Sequence, residues 1–239
     1  MKKLLLLPFL LFAFEMHAQL SAKASVGGYY YTGNVNKLDI RSDAALAYKS
    51  AKFEYSGNYK FIYSEIAGVQ NNGEIAGGVK FDYMPQNKFS PFIALNFYNN
   101  KYKGYDLRVS SILGAKYVIY ETEKSDYSIS AAFQYDAENY APDKLGVEIP
   151  NKNLFRLSIR PKITQQITSS MKLTHISFFR PNLSNFSDHQ IDAVTSLSNQ
   201  ISKKFYIDIA HELQYTSKPV REGLKKTDQA IIVSLVYKL

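Results

Sequence analysis

Two residues of this chain have the types and spacing for nucleophilic catalysis: His175 and Ser177, within Thr174-His175-Ile176-Ser177. On a strand, side chains two positions apart share a face, so an imidazole there could activate a hydroxyl. The imidazole would also need a group to orient it. Asn185 falls in a loop and Asn199 near the far end of the next stretch, so neither serves. Two-residue coincidences are common, and no catalytic residue is assigned. His17, His175, His189 and His211 lie on different elements without metal-ligand spacing. Cysteine is absent, which removes disulfides, thiolate sites and cysteine nucleophiles together. No glycine-rich phosphate loop exists, since Gly27-Gly28 and Gly77-Gly78 sit inside strand patterns. Neither a metal nor a cofactor is expected.

Charge is the more substantial signal. Asp39, Arg41, Asp43, Arg108, Lys116, Arg156, Arg160, Lys162, Asp208 and Glu212 all fall on the polar parity of alternating stretches. Arg156, Arg160 and Lys162 would form a basic ladder down one wall, of the kind that attracts anions in a pore. The competing reading is a lumen filled by cross-paired charges, because small barrels are packed inside. A second basic group, Lys218, Arg221, Lys225 and Lys226, lies in a Pro- and Gly-containing loop. Clustered cations there would suit lipopolysaccharide phosphates. The net charge of +8 is spread along the chain with no basic run, so nucleic acid is not an expected partner.

The elements that carry these residues are strands. Phe53, Tyr55, Gly57, Tyr59, Phe61 and Tyr63 alternate with Lys52, Glu54, Ser56, Asn58 and Lys60. Phe205, Ile207, Ile209, Leu213 and Tyr215 do the same against Tyr206, Asp208, Ala210, Glu212 and Gln214. Period-two alternation of this kind marks a strand with one apolar face. The pattern repeats as about twelve stretches of around ten residues, the length of a tilted membrane-crossing strand. The spacers after even stretches are short, and most of those after odd stretches are longer, including one over 137–152. These features predict an all-β, antiparallel up-and-down transmembrane barrel with both termini periplasmic. Mean hydropathy of −0.24 does not oppose it, because lipid-facing and lumen-facing residues average out. The 19 Tyr and 15 Phe, with no Trp, suit strands and membrane interfaces.

Residues 1–18 read as a signal peptide, with Lys2 and Lys3 before the apolar Leu4–Phe14 and Ala18 at the cleavage position. The barrel would then occupy 19–239, in a bacterial outer membrane. Its final stretch, Lys226 to Leu239, places Ile231, Val233, Leu235, Tyr237 and Leu239 on one parity. It should pair with Leu20–Tyr31 to remove both sheet edges. This ending resembles the C-terminal signal read by the barrel assembly machinery, although Phe is more usual at the last position.

Two segments resemble a family of salt-induced outer-membrane proteins, the YdiY-like family. Tyr31-Thr32-Gly33-Asn34-Val35-Asn36 is similar to its early TGNxN turn, with Val35 where Thr or Ser is usual. Pro219 to Asp228 is similar to its closing P-x-G-x-K-K-T-D pattern. The resemblance implies an outer-membrane barrel with a structural or envelope role, responding to osmotic stress. A channel for small anionic solutes is the alternative reading. The His175/Ser177 pair also resembles that of outer-membrane phospholipase, which implies a lipid hydrolase as a remote third, but that family's longer signature around the serine is missing.

Overall fold

The computed structural model describes residues 19–31, 37–142 and 145–239. The expected signal peptide and the TGNxN turn fall mostly or wholly outside them. Twelve strands form one closed antiparallel barrel in which each strand pairs with its sequence neighbours and the last with the first. They are β1 (Gln19–Tyr31), β2 (Lys37–Lys49), β3 (Phe53–Ile66), β4 (Val69–Tyr83), β5 (Phe89–Asn100) and β6 (Tyr105–Glu121). The second half comprises β7 (Ser125–Tyr140), β8 (Lys152–Gln166), β9 (Met171–Asn182), β10 (Asn185–Gln200), β11 (Phe205–Thr216) and β12 (Thr227–Lys238). Among the described residues no helix is long and apolar enough to cross a membrane.

The molecule is apolar outside and polar inside. Val79, Ile93, Leu113, Phe133, Phe155, Ile231 and Val233 are exposed on the outer wall. The buried set is instead dominated by Asp39, Glu74, Asp82, Asn100, Gln134, Asp136, Glu138 and Arg156. That inversion is what lipid imposes: backbone polar groups pair around the closed sheet, and the apolar parity faces hydrocarbon. Aromatic pairs mark both ends of the belt. Phe205 meets Tyr237 edge-on and Tyr120 packs at a tilt against Tyr127 at one end, with centroids 5.4 and 5.6 Å apart. Tyr135–Phe155 and His189–Tyr215 lie toward the other, at 5.0 and 5.7 Å. The turn end of the barrel holds both ends of the sheet and the even-numbered connections, and the loop end holds the odd-numbered ones.

Loop lengths correct one expectation. The even connections are short, as read, but the odd ones are not uniformly long. β3 and β4 continue pairing out to Ile66↔Val69, joined by Ala67-Gly68. Both of these residues have positive φ, 53° and 77°, the mark of a tight hairpin turn whose twist matches the strands. β9 and β10 also turn over 183–184, with Asn182 opposite Asn185. Apolar alternation fades there because the outward parity turns polar, as at Glu65, while the ladder persists. For the same reason β7 runs on to Tyr140, through residues expected to be loop.

The closing ladder runs from Lys23↔Lys238 to Gly27↔Ser234, and Leu239 N–H donates to the Ala22 carbonyl at 3.0 Å. The seam is therefore made by the middle of β1 rather than all of it. Gly27 is required there. A Cβ at this position would stand 2.6 Å from both the Val233 carbonyl oxygen and Ser234 Oγ across the seam.

The charged lumen as candidate functional site

Register places the charged residues named from sequence on the inner wall, at different heights. Toward the loop end, β2, β6, β8 and β11 contribute Asp39, Arg41, Arg108, Arg156 and Glu212. Arg156 is 2% exposed and bonds Asp136, itself 0% exposed, at 3.2 Å. Its other branch reaches Asp188 at 3.4 Å. Asp136 also accepts from Ser110 at 2.5 Å and Gln134 at 2.8 Å. Arg41 bonds Asp39 at 2.7 Å and approaches Glu212 at 3.5 Å, and Asp39 accepts from Ser64. Lys60 sits between Glu212 at 3.3 Å and Glu74 at 3.6 Å. Arg108 stacks over Tyr98 and Tyr105, 4.0 Å from Glu138. Arg180 pairs with Asp192, and Lys103 with Asp228 at 3.1 Å. Every one of these cations has a carboxylate.

Nearer the turn end the pairing thins. Lys23 meets Asp208 at 3.3 Å, Lys80 meets Asp82 at 2.5 Å and Lys162 meets Asp126 at 2.5 Å. Asp43 lies close to mid-height and accepts from Ser25. Of the inward cations there, Lys116, Arg160 and Lys238 have no carboxylate within 4.0 Å among the described residues. Lys116 donates to the Pro85 carbonyl at 3.2 Å. Lys238 lies over the Tyr206 ring, 3.7 Å from its centroid. Arg160 makes neither a hydrogen bond nor an ion pair, and its guanidinium rests on the Phe178 ring at 5.4 Å.

The basic ladder of strand β8 is therefore not one feature. Arg156 is locked into a buried carboxylate cluster, Lys162 is ion-paired, and Arg160 alone is uncommitted. Between the charged layers the inner wall carries small side chains, among them Ala76, Gly78, Gly114, Ala132, Ser196 and Ala210, whose inward direction follows from pairing with charged or polar inner residues. Small residues leave central space that long ones would fill. A cavity of about 770 Å³ opens above them, lined by Asp39, Arg41, Lys60, Glu74, Arg108, Glu212 and the 219–226 loop.

That loop does not stand outward as an isolated basic patch. Arg221 donates to the carbonyls of Ala141 and Pro142 at 2.9 and 2.6 Å, tying the β11–β12 loop to the β7–β8 loop. Lys225 and Lys226 line the cavity mouth, and Lys218 is exposed. Glu74, Asp136, Glu138, Arg180 and Asp192 were not singled out from sequence. Glu74 was legible on the parity of Lys80 and Asp82. Glu138 and Arg180 lay beyond the expected strand ends, and β10 alternated too weakly to assign Asp192 a face.

His175 and Ser177 point to the outer wall. His175 Nδ1 bonds Thr195 Oγ1 at 2.8 Å, and no hydrogen bond joins it to Ser177. His211 also faces outward and contacts Gln229 at 3.2 Å. Among the described residues no three His, Asp or Glu are grouped as a metal site.

Fold and lumen together define a transmembrane β-barrel of the outer-membrane type. Residues 24–239 match the family described as protein of unknown function DUF481, and the chain belongs to that family of outer-membrane barrels, the one to which its two terminal motifs pointed. No curated protein matches the sequence. Among solved structures, the NanC porin is similar at 9% identity and a TM-score of 0.51, covering 92% of this chain and 98% of its own. The translocator domain of the autotransporter NalP from Neisseria meningitidis shares 12% identity over 92% of this chain and 88% of its own, with a TM-score of 0.48. The KdgM porin shares 11% over 91% and 98%, at 0.46.

Proposed function

We propose that this protein is a narrow outer-membrane channel for small anionic solutes, with the turn end and both termini in the periplasm. The observation that carries the reading is the middle of the lumen. Small side chains line it there, and the cations among them, Arg160 and Lys116, have no carboxylate within 4.0 Å. A barrel whose interior served only as packing would cross-pair such charges, because an unpaired cation in a low-dielectric wall is costly. The resemblance in fold to a porin supports the same architecture. Twelve strands lie between fully packed small barrels and wide porins, which sets the solute size as small.

The envelope role implied by the family resemblance draws its support from the other half of the lumen, where the Arg156–Asp136–Asp188 network knits β7, β8 and the start of β10 into one wall. Conductance separates the readings. Reconstituted in a planar bilayer, the barrel is expected to show stepwise current and a reversal potential displaced toward the anion in a salt gradient. A barrel that inserts yet stays silent would overturn the channel. For the lipid-hydrolase alternative, equal lipid release by wild type and Ser177→Ala disposes of it.

A further inference from the structure

We propose that Arg160, Lys116 and Ser130 form an oxyanion-binding site in the middle of the lumen, with carboxylate or phosphoryl groups as its ligands. The proposal deepens the channel reading by giving it a binding step.

The three residues occupy one ladder row on adjacent strands. Lys116 of β6 stands opposite Ser130 of β7, and Ser130 stands opposite Arg160 of β8. Adjacent strands are about 4.8 Å apart, so the two cations flank the hydroxyl at roughly 10 Å between backbones, a gap that their long side chains can close on one anion. Neither the Ser130 nor the Arg160 side chain makes a hydrogen bond among the described residues. Arg160 Nε is shielded from solvent without a partner. One place further along the same row, Ser90 stands opposite Lys116, is 0% exposed, and has an unpartnered Oγ.

Arg160 is nonetheless held. Phe178 contacts its guanidinium and that of Arg180, at 5.4 and 5.2 Å. Arg180 is ion-paired with Asp192, whereas Arg160 has no carboxylate within 4.0 Å and feels Asp82 and Asp126 only from further off. A guanidinium seated against a ring keeps its N–H edges free and pre-oriented, the geometry for two-point binding of an oxyanion. Lys116 adds a second charge, and Ser130 a donor between them. Buried donors without acceptors are uncommon in proteins and call for one; an oxyanion supplies it. The other lumen cations lack this combination. Arg156 and Lys162 are already occupied by Asp136, Asp188 and Asp126.

The test is equilibrium binding to the refolded full barrel in detergent, with inorganic phosphate and acetate as separate probes, followed by calorimetry and by ³¹P line broadening for phosphate. Wild type is expected to bind at least one probe saturably, and the stronger probe tells phosphoryl from carboxylate chemistry. Arg160→Gln should weaken binding on the order of tenfold or more, as loss of a charge-assisted pair requires. Arg160→Lys, which keeps charge but not the fork, should fall between. Lys116→Gln should weaken binding too, and Lys101→Gln, outside the lumen, should not. Heat-modifiable gel migration verifies that each variant is folded, and Arg160→Lys carries the test if Arg160→Gln fails to fold. No saturable binding by wild type, or equal binding by wild type and the Arg160 variant, overturns the site. Phosphate binding that depends on Arg160 in a barrel that conducts nothing would sustain the site and sink the channel. Conductance without such binding would do the reverse.

Discussion

The two halves of the lumen are built from the same residue types and use them differently. At the loop end, Arg41, Lys60, Arg108, Arg156 and Arg180 each face a carboxylate, and several of those carboxylates accept from Ser, Gln or Tyr as well. Nearer the turn end, Arg160, Lys116 and Lys238 rest against rings or a carbonyl. Strand β8 crosses from one regime to the other within four residues, from Arg156 to Arg160. A buried charge is tolerated when its partners are fixed, and there it stabilises a unique arrangement only through the network. A charge left without a partner at the edge of open space is instead available to a mobile ion. Parity therefore identifies inward charge, but the role of that charge depends on what stands across the ladder.

The sharpest way to break this comparison is to truncate both arginines of β8. Arg156→Ala leaves Asp136 and Asp188 without their shared cation. It should destabilise the barrel by about 3–5 kcal/mol, the cost of orphaning buried charge, read as earlier unfolding in urea and a lower temperature of gel-mobility change. Arg160→Ala removes only a ring contact, so its loss should stay near or below about 1 kcal/mol. Equal losses in the two variants would mean that the halves do not differ as described.

Next in size is selectivity. Arg160→Gln combined with Lys116→Gln should bring the anion preference of the reconstituted barrel close to none, measured as reversal potential. Lys60→Gln, in a residue flanked by Glu74 and Glu212, should change it less. A smaller effect is expected from ionic strength. Screening shortens from about 10 Å at 0.1 M salt to about 3 Å at 1 M, so the preference should decline as salt rises. Smallest of all, Lys101→Ala breaks an exposed ion pair with Asp106, whose side chains are 66% and 52% exposed. Stability should be unaltered within error, since such surface pairs contribute little.

Much of the fold was legible in the chain, for one reason: a strand between lipid and water must alternate. Phe53 to Tyr63 and Phe205 to Tyr215 show it plainly, and the pairing of β12 with β1 follows from the need to close the sheet. The candidate site was only half legible. Arg156, Arg160 and Lys162 read as equivalents because they share a parity. The hairpin at Ala67-Gly68 and the extension of β7 to Tyr140 escaped because the outward parity there, at Glu65 and Asn139, is no longer apolar, and Glu138 went with it. The loop around Arg221 read as outward-facing for a similar reason, since nothing local states that Ala141 and Pro142 lie across from it.

By itself, then, the sequence determined the class of molecule. Alternation dictates strands, their even number permits closure, and the sorting of apolar from charged parities settles which face meets lipid. Partnership was decided only by the tertiary structure. Whether Arg160 is neutralised depends on the register of β7 and β9 beside β8, and register is a relation between segments distant in the chain. Asp136 and Asp188 converge on Arg156 from two other strands, while the neighbours of Arg160 across the ladder are Ser130 and Phe178. Coulombic attraction acts over a few ångströms in three dimensions, so residues four apart on one strand can meet entirely different partners.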